Sequence, residues 1–244
     1  MITNLRKMQK LKDKRVILLQ SGGLDSCFLA SLLNYLGFEI HHLFVDYGQN
    51  AVKSEEKAVR RIVDYYGGEL HCVTINMPWL KDSTLLSGHK VEEYAVPEKM
   101  GSVIAGTYVP MRNHLLLSIA SSLAESLNIK YIASGLDGRE NFLHQPQTGC
   151  PDKHPTFIKK FEKSITEGST LKHIKKGKYT LLTPLVIGTK EDTICAGMSI
   201  NTKFELSWTC YNDTEEPCGE CCACIDRANH FRNVGLEDPA LKIK

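Results

Sequence analysis

The sequence predicts an α/β protein built on a doubly wound parallel sheet, with a small cysteine-containing region appended to it. Short apolar runs typical of buried strands alternate with longer stretches of helical period, which is the pattern of βαβ units. The chain has 244 residues, of which 42% are hydrophobic, enough for one good-sized domain with an appendage. We expect a loosely docked leader over residues 1–14, an α/β domain over 15–200 and the small region over 201–244.

The first predicted strand and helix flank a pair of glycines. Residues 16–19 form an apolar run short enough for a buried strand, and the period of residues 28–36 indicates a helix. Between them, backbone N–H groups, the helix dipole and serine hydroxyls can converge on an anion. No lysine follows as in the Walker motif, and an ordinary strand–helix turn is the alternative. The anion site would consist of Gln20, Ser21, Gly22, Gly23, Leu24, Asp25 and Ser26.

Two more strand elements continue the alternation. Residues 39–46 are predicted to be a strand, Ser54 can cap the helix that follows, and residues 69–75 form a third strand. Ligands of parallel sheets bind beyond the carboxyl ends of the strands, where both Ser21 and Asp46 would lie. Asp46 is therefore either a contact for a ribose or a metal, or a cap for the turn after its strand.

Residues 76–107 break the alternation with a polar, glycine-containing stretch, which predicts an excursion over the site. A strongly apolar helix is expected over residues 115–127. Arg112 stands just inside its start, where a cation opposes the helix dipole. A bound phosphate facing Arg112 would explain that placement, and a surface arginine paired with a distant carboxylate is the alternative.

The second half of the domain contains a predicted strand over residues 130–134 and a polar loop over 136–155 that starts after Gly135. A short helix over 157–165 and an edge strand or extended segment over 181–186 follow. Lys190, beside the cap of another helix, either reaches phosphate or is a surface lysine. Because the loop leaves the carboxyl end of a strand, it is suited to substrate contacts. Its candidates are Asp137, Arg139, Glu140, His144, Asp152, Lys153 and His154.

Five of the nine cysteines lie between residues 210 and 224. In a reducing compartment such clustering favours metal over disulfides, and the two CxxC turns can direct four sulfurs to one point. Zinc is the preferred metal, although the same ligands suit an iron–sulfur cluster. Cys222 falls out of phase, and Cys150 is the thiol whose loop position suggests reactivity. The predicted ligands are Cys210, Cys218, Cys221 and Cys224.

The composition argues against two classes of partner. The formal net charge of +2 is too small to support nucleic-acid binding, and no apolar run approaches the length of about 20 residues that spans a membrane. Residues 1–14 are polar and cationic and lack the apolar core of a secretory signal. The expected location is therefore the cytoplasm.

The glycine turn resembles the pyrophosphate loop of the N-type ATP pyrophosphatases, which have an adenine nucleotide alpha hydrolase-like fold. Over residues 15–239 the chain resembles the 7-cyano-7-deazaguanine synthase family. This resemblance implies ATP, Mg²⁺ and Zn²⁺ as cofactors, a 7-deazaguanine carboxylate and ammonia as substrates, and a homodimer. The matching segments are residues 46–49, 109–113, 183–185, 208–211 and 218–221, together with Lys190.

The same resemblance implies roles for individual residues. The backbone of residues 21–26 would hold the ATP phosphates, Arg112 and Lys190 would neutralise the charge that moves onto pyrophosphate, and Asp25 or Asp46 would bind magnesium. Adenine would pack near Phe44 and Val45. The substrate would be contacted by Gly135, Asp137, Pro151 and Asp152.

One segment departs from the family pattern. The substrate loop of the family usually reads Asp-x-Ser-Gly-Tyr-Pro-Asp-Cys-Arg, whereas residues 147–154 read Gln-Thr-Gly-Cys-Pro-Asp-Lys-His here. A divergent paralogue that transfers the activated carboxylate to another amine, such as one on a protein, and stops at an amide is therefore the alternative. Other enzymes share the ATP loop and are competing assignments: thiolases, tRNA lysidine synthase and NAD or GMP synthetases. A zinc-bearing nucleic-acid module is the non-enzymatic alternative, and it would have to bind RNA in a salt-dependent way.

Overall fold

The computed structural model describes residues 5–79, 83, 85–86, 109–137, 151–175 and 177–241. Five parallel strands form one sheet in the order β3–β2–β1–β4–β5. This arrangement confirms the predicted α/β class with a parallel sheet. The strands are β1 (Arg15–Leu19), β2 (Glu39–Asp46), β3 (Glu69–Thr74), β4 (Tyr131–Ser134) and β5 (Thr180–Leu182).

Helices cover both faces of this sheet. The described residues form α1 (Leu5–Gln9), α2 (Leu24–Tyr35), α3 (Val52–Tyr66), α4 (Arg112–Ser126), α5 (Pro155–Glu167), α6 (Thr170–His173), α7 (Lys190–Ser199) and α8 (Cys222–Asn233), with 3₁₀ turns at Pro151–Lys153 and Phe204–Leu206.

The two faces follow from the alternation of side chains along β1. Val16 and Leu18 point into a core formed with α2, α3, α7 and α8, whereas Ile17 points into a second core formed with α4 and α5. Successive residues of a strand face opposite sides of the sheet, so an uninterrupted apolar run supplies both cores. The sheet is thus doubly wound. In the part of the chain that the structure describes, no helix is both long and apolar enough to cross a membrane.

Several boundaries differ from the sequence-based expectation. Helix α3 begins at Val52, and Ser54 is not its N-cap. The N–H and hydroxyl groups of Ser54 donate to Asp213 Oδ1 at 2.9 and 2.6 Å, so the cap comes from a distant residue that the local sequence could not indicate. Within the segment predicted as a leader, α1 buries Met8 in the core.

The C-terminal region packs against the α/β domain. Phe204 and Phe231 meet edge to face at 5.6 Å between ring centroids, inside the core that contains α2. Arg227 is buried and forms a bidentate pair with Asp238, at 2.6 Å from Nε and 3.1 Å from Nη2. A buried charge of this kind is tolerated because its donors are paired.

Candidate functional site

The glycine turn, residues 20–23, joins β1 to α2 and is fixed by hydrogen bonds within itself. Gln20 Oε1 accepts from the Gly22 N–H at 3.3 Å, and Ser21 Oγ accepts from the Gly23 N–H at 3.3 Å. Ser26 Oγ donates to the Gly23 carbonyl at 3.0 Å. The N-cap of α2 is Gly23, which has no side chain of its own to satisfy the first N–H groups of the helix. These groups, from residues 24 to 26, are suited to an anion.

Two distant parts of the chain hold this turn in place. Gly22 has φ +77°, and a Cβ there would lie 2.8 Å from the carbonyl oxygen of Glu55 in α3. Glycine is therefore required both for its conformation and for space. On the other side, the backbone N–H of Trp208 donates to the Gly22 carbonyl at 2.8 Å. The shape of the turn thus depends on α3 and on the C-terminal region.

A chain of alternating charges lies beside the turn. Lys190, the first residue of α7, pairs with Asp25 of α2 and reaches Asp137 Oδ2 at 2.8 Å. Lys153 binds the other oxygen of Asp137, also at 2.8 Å. Gly135 brings β4 close to this cluster, because a Cβ there would lie 3.0 Å from the Cβ of Asp25. Four elements from separate parts of the sequence therefore deliver two cations and two carboxylates to the carboxyl edge of the sheet.

Burial and neighbouring charges shift the pKa values of this cluster in different directions. Burial alone would lower the pKa of the Lys190 ammonium, but Asp25 and Asp137 offset it and raise that pKa above its usual range. Burial acts in the opposite direction on Asp137, whose pKa is nevertheless lowered by Lys190 and Lys153. Burial raises the pKa of Asp25. Lys190 is consequently a fixed cation next to the glycine turn.

The predicted magnesium candidates differ in their surroundings. Asp25 Oδ1 is buried and has no hydrogen-bond partner among the described residues, while its other oxygen binds Lys190. Asp46 Oδ1 accepts from the Gly48 N–H at 3.0 Å, so Asp46 caps the turn after β2. A buried carboxylate oxygen without a partner is a donor that fits a hard cation, which favours Asp25 over Asp46.

Arg112 lies near the same edge as the first residue of α4. Its Nη1 donates to the Tyr47 hydroxyl at 3.3 Å, and its guanidinium carbon lies 6.0 Å from the centroid of the Tyr47 ring. Burial raises the pKa of Tyr47, which therefore stays neutral. Contact with Tyr47, in the turn after β2, positions the guanidinium group of Arg112. The residue itself lies at a helix start, as the sequence predicted.

Glu55 is a half-buried residue that the sequence-based search missed. Gln49 Nε2 donates to its Oε2 at 2.9 Å, and burial raises the pKa of Glu55 to about 7. A signal was present, because Glu55 lies on the apolar stripe of α3 with Ala51, Ala58 and Val59 at helical spacing. A carboxyl within an apolar stripe marks a position with a specific partner.

The structure describes some of the predicted substrate residues. Asp152 is buried, with Oδ2 accepting from the Asn113 N–H at 3.4 Å and Oδ1 lacking a partner among the described residues. Pro151 is exposed beside it, and Asp137 belongs to the charge chain. His154 accepts from the Thr156 N–H and caps α5, which is a structural role. Arg139, Glu140, His144 and Cys150 lie outside the described residues.

Phe44, predicted near adenine, is 2% exposed within β2. A contact with a base through this side chain therefore stays a prediction. Its neighbour Val45 is also buried and faces the core beneath α4.

Four cysteine sulfurs converge next to the glycine turn. Cys210 Sγ lies 3.4 Å from Cys218 Sγ and 3.9 Å from Cys221 Sγ, and all four predicted ligand atoms lie within 4.8 Å of one another. Two sulfurs of a tetrahedral zinc site, each about 2.3 Å from the metal, are about 3.8 Å apart. Cys222 is outside the group, as its spacing predicted. The residues therefore fit a four-thiolate metal.

The cysteine cluster is joined to α3 and to the glycine turn. Cys210, Cys221 and Cys224 pack with Ala51, Ala58 and Trp208 in one apolar group. Trp208 Nε1 also donates to the Cys210 carbonyl at 2.9 Å. A metal at this position would hold the segment that supports Gly22.

Comparison with known proteins gives a consistent result. The family model described as queuosine biosynthesis protein QueC matches residues 15–235. The chain is similar to the 7-cyano-7-deazaguanine synthase of Thermoplasma acidophilum, at 32% identity over 94% of this chain and 92% of that protein. The synthases of Methanoculleus marisnigri and Methanospirillum hungatei are each 33% identical, over 93% and 92% of this chain and 97% and 98% of theirs.

Proposed function

Since the chain belongs to the QueC family of queuosine biosynthesis proteins, we propose that it is an ATP-dependent carbon–nitrogen ligase. Its substrate is 7-carboxy-7-deazaguanine, and its product is 7-cyano-7-deazaguanine. The observation that carries the proposal is the glycine turn, whose α2 N–H groups lie beside the fixed cation Lys190. Such an arrangement suits the terminal phosphates of a nucleotide.

The chemistry explains why ATP is needed. A carboxylate resists ammonia because its charge repels nucleophiles and oxide is a very poor leaving group. Attack of the carboxylate on the α-phosphorus of ATP releases pyrophosphate and gives an acyl adenylate. Ammonia then displaces AMP and leaves an amide, and a second adenylation removes the amide oxygen with AMP to form the nitrile.

The residues of this chain would contribute by position and charge. N–H groups of residues 24–26 bind phosphate oxygens, and Lys190 neutralises the charge that moves onto pyrophosphate. When ATP phosphate binds Lys190, it competes with Asp25 for the ammonium. Magnesium, held by Asp25, would supply further positive charge to the phosphates. The four thiolates would hold zinc as a structural ion, since four protein ligands leave no open position.

The remaining parts of the proposal concern the substrate contacts, the role of Arg112, the cellular location and the oligomeric state. Asp137 and Asp152, which flank the loop at residues 138–150, are the proposed substrate contacts, and Arg112 is proposed to face phosphate. We also propose a cytoplasmic homodimer that forms no stable complex with nucleic acid, in line with the formal charge of +2.

Mass spectrometry tests the proposal directly. The full chain is incubated with ATP, magnesium, ammonia and 7-carboxy-7-deazaguanine, and we expect AMP, pyrophosphate and the nitrile. Accumulation of the amide, or a mass increase on an added protein, would instead support transfer to another amine, as the altered sequence of residues 147–154 suggests. Absence of AMP in every mixture would contradict both activities.

A further inference from the structure

Two histidines and a glutamate meet at the opposite end of the sheet from the glycine turn. His41 lies near the start of β2, and Glu69 and His71 lie at the start of β3, the outermost strand on that side. The parallel register places His41 opposite Glu69 and Leu43 opposite His71. His41 and His71 therefore share one face of the sheet, at the amino ends of the strands.

The ligand atoms of the three residues converge. His41 Nδ1 lies 3.2 Å from His71 Nε2 and 3.4 Å from Glu69 Oε2, and His71 Nε2 lies 3.7 Å from Glu69 Oε1. Zinc binds histidine nitrogen and carboxylate oxygen at about 2.0–2.1 Å, so two ligands of a tetrahedral ion are about 3.3 Å apart. The separation of the two histidine nitrogens is close to this value, and the carboxylate of Glu69 presents one oxygen to each of them.

A second carboxylate lies beside the opposite nitrogen of His41. His41 Nε2 is 3.5 Å from Glu39 Oε1. A proton on Nε2, directed at Glu39, leaves the lone pair of Nδ1 facing the cluster. A histidine that ligates metal commonly donates its other N–H to a carboxylate in this way.

The three side chains are partly accessible to solvent, and the two imidazole rings are held in a fixed relative orientation. The side chains of His41 and His71 are 11% and 21% exposed, whereas that of Glu69 is 63% exposed. The two imidazole rings stack with an interplanar angle of 20°, which keeps their nitrogens side by side. Without a metal, the facing nitrogens can only share a proton, and this hydrogen-bonded pair is the competing description.

We propose that His41, Glu69 and His71 form a second zinc site, separate from the cysteine cluster, that ties the edge strand β3 to β2. Two imidazoles favour zinc over magnesium or calcium, which prefer oxygen ligands. Water completes the coordination, because the described residues supply three ligands to this group. The site stabilises an edge strand that has a neighbouring strand on one side in the described sheet.

Zinc stoichiometry tests this site without measuring activity. The full chain is dialysed against a buffered micromolar concentration of free zinc, and bound metal is measured by mass spectrometry. We expect about two zinc ions per wild-type chain, and about one after His71→Ala or Glu69→Gln. The matched control His173→Ala removes an exposed histidine of α6 and should leave two. One zinc in the wild type, or two in His71→Ala, would overturn the proposal.

Cobalt substitution identifies which site each metal fills. A thiolate site gives an intense sulfur-to-cobalt charge-transfer band, and a site of two imidazoles and a carboxylate gives none. We expect His71→Ala to keep the whole band while losing one cobalt per chain. Circular dichroism confirms that the variant is folded. Loss of the band together with the metal would contradict two separate sites. Neither measurement depends on ATP, so the result is independent of the proposed ligase activity.

Discussion

The glycine turn and the cysteine cluster are neighbours that present different groups to a ligand: backbone N–H groups in the turn and side-chain sulfurs in the cluster. The turn offers backbone N–H groups, and its shape depends on distant contacts such as the carbonyl of Glu55 and the N–H of Trp208. The cluster offers four side chains that lie within 15 residues of sequence, from Cys210 to Cys224. A site built from side chains is disabled by replacing any of its members. A site built from backbone is disabled mainly by changes that alter its shape.

The largest effect is expected from breaking the cluster. Cys218→Ser removes one of four thiolates, so we expect loss of zinc from the cysteine cluster and a loss of several kcal/mol in folding stability. Because the cluster packs around Trp208, nucleotide binding at the turn should be lost with it. Metal analysis, thermal unfolding and calorimetry with ATP measure the three consequences.

The control for this prediction is the adjacent residue. Cys222→Ser alters a thiol of the same helix start that lies outside the group of four. It should retain zinc and nucleotide binding. If Cys222→Ser lost the metal and Cys218→Ser kept it, the assignment of ligands would be wrong.

The second effect concerns the cation beside the turn. Lys190→Met removes the charge next to Asp25, and we expect adenylation to slow by about 10²–10³-fold. Lys190→Arg should retain part of the rate, because the positive charge remains. Pyrophosphate release measures the rate, and Lys160→Met, an exposed position on α5, is the control. An unchanged rate in Lys190→Met would remove this residue from the mechanism.

The third prediction separates two effects of replacing a glycine in the turn: the collision of the new Cβ with α3 and the strain of a positive φ. Gly22→Ala places a Cβ 2.8 Å from the Glu55 carbonyl at φ +77°, so we expect nucleotide binding to be lost and stability to fall by about 2–3 kcal/mol. Gly37→Ala imposes nearly the same φ, +72°, with nothing within 4 Å of the new Cβ.

This matched variant carries the strain without the collision. Gly37→Ala should lose about 1 kcal/mol and bind nucleotide normally. Equal losses of nucleotide binding in both variants would mean that contact with α3 does not shape the turn. Urea unfolding and calorimetry with ATP supply both measurements.

The smallest effect concerns the protonation of Glu55. Its pKa is raised to about 7 by burial, so between about pH 4.5 and 7 the folded protein holds a proton that the unfolded chain has released. Stability from this group is therefore lost as the pH rises through that interval. Relative to wild type, Glu55→Gln should gain about 1–3 kcal/mol between pH 5 and pH 8. Glu56→Gln, a half-exposed neighbour paired with Arg60, should show no such gain in urea unfolding.

Local patterns predicted much of the molecule. Apolar runs and helical periods identified the strands and the doubly wound sheet. The edge strand or extended segment expected over residues 181–186 is a strand only at Thr180–Leu182. The spacing of cysteines identified the four whose sulfurs converge in the structure and left out Cys222. These features depend on neighbouring residues, so they are visible in the sequence. The position of Arg112 at a helix start was predicted for the same reason.

The contacts that escaped prediction join residues far apart in the sequence. Asp213 caps α3 in place of Ser54, and His41 of β2 meets His71 of β3. No periodicity indicates such pairs, because they arise only after the sheet has assembled. Glu55 was missed for a different reason, since its position on an apolar stripe indicated a partner that was not sought.

The hydrogen bond between Trp208 and Gly22 also bears on how the protein is made. The first strand, turn and helix leave the ribosome early, but Trp208, which braces the turn, is synthesised 186 residues after Gly22. Contacts of such long sequence separation form late and slow folding. A nascent chain therefore begins its sheet well before the glycine turn acquires this brace.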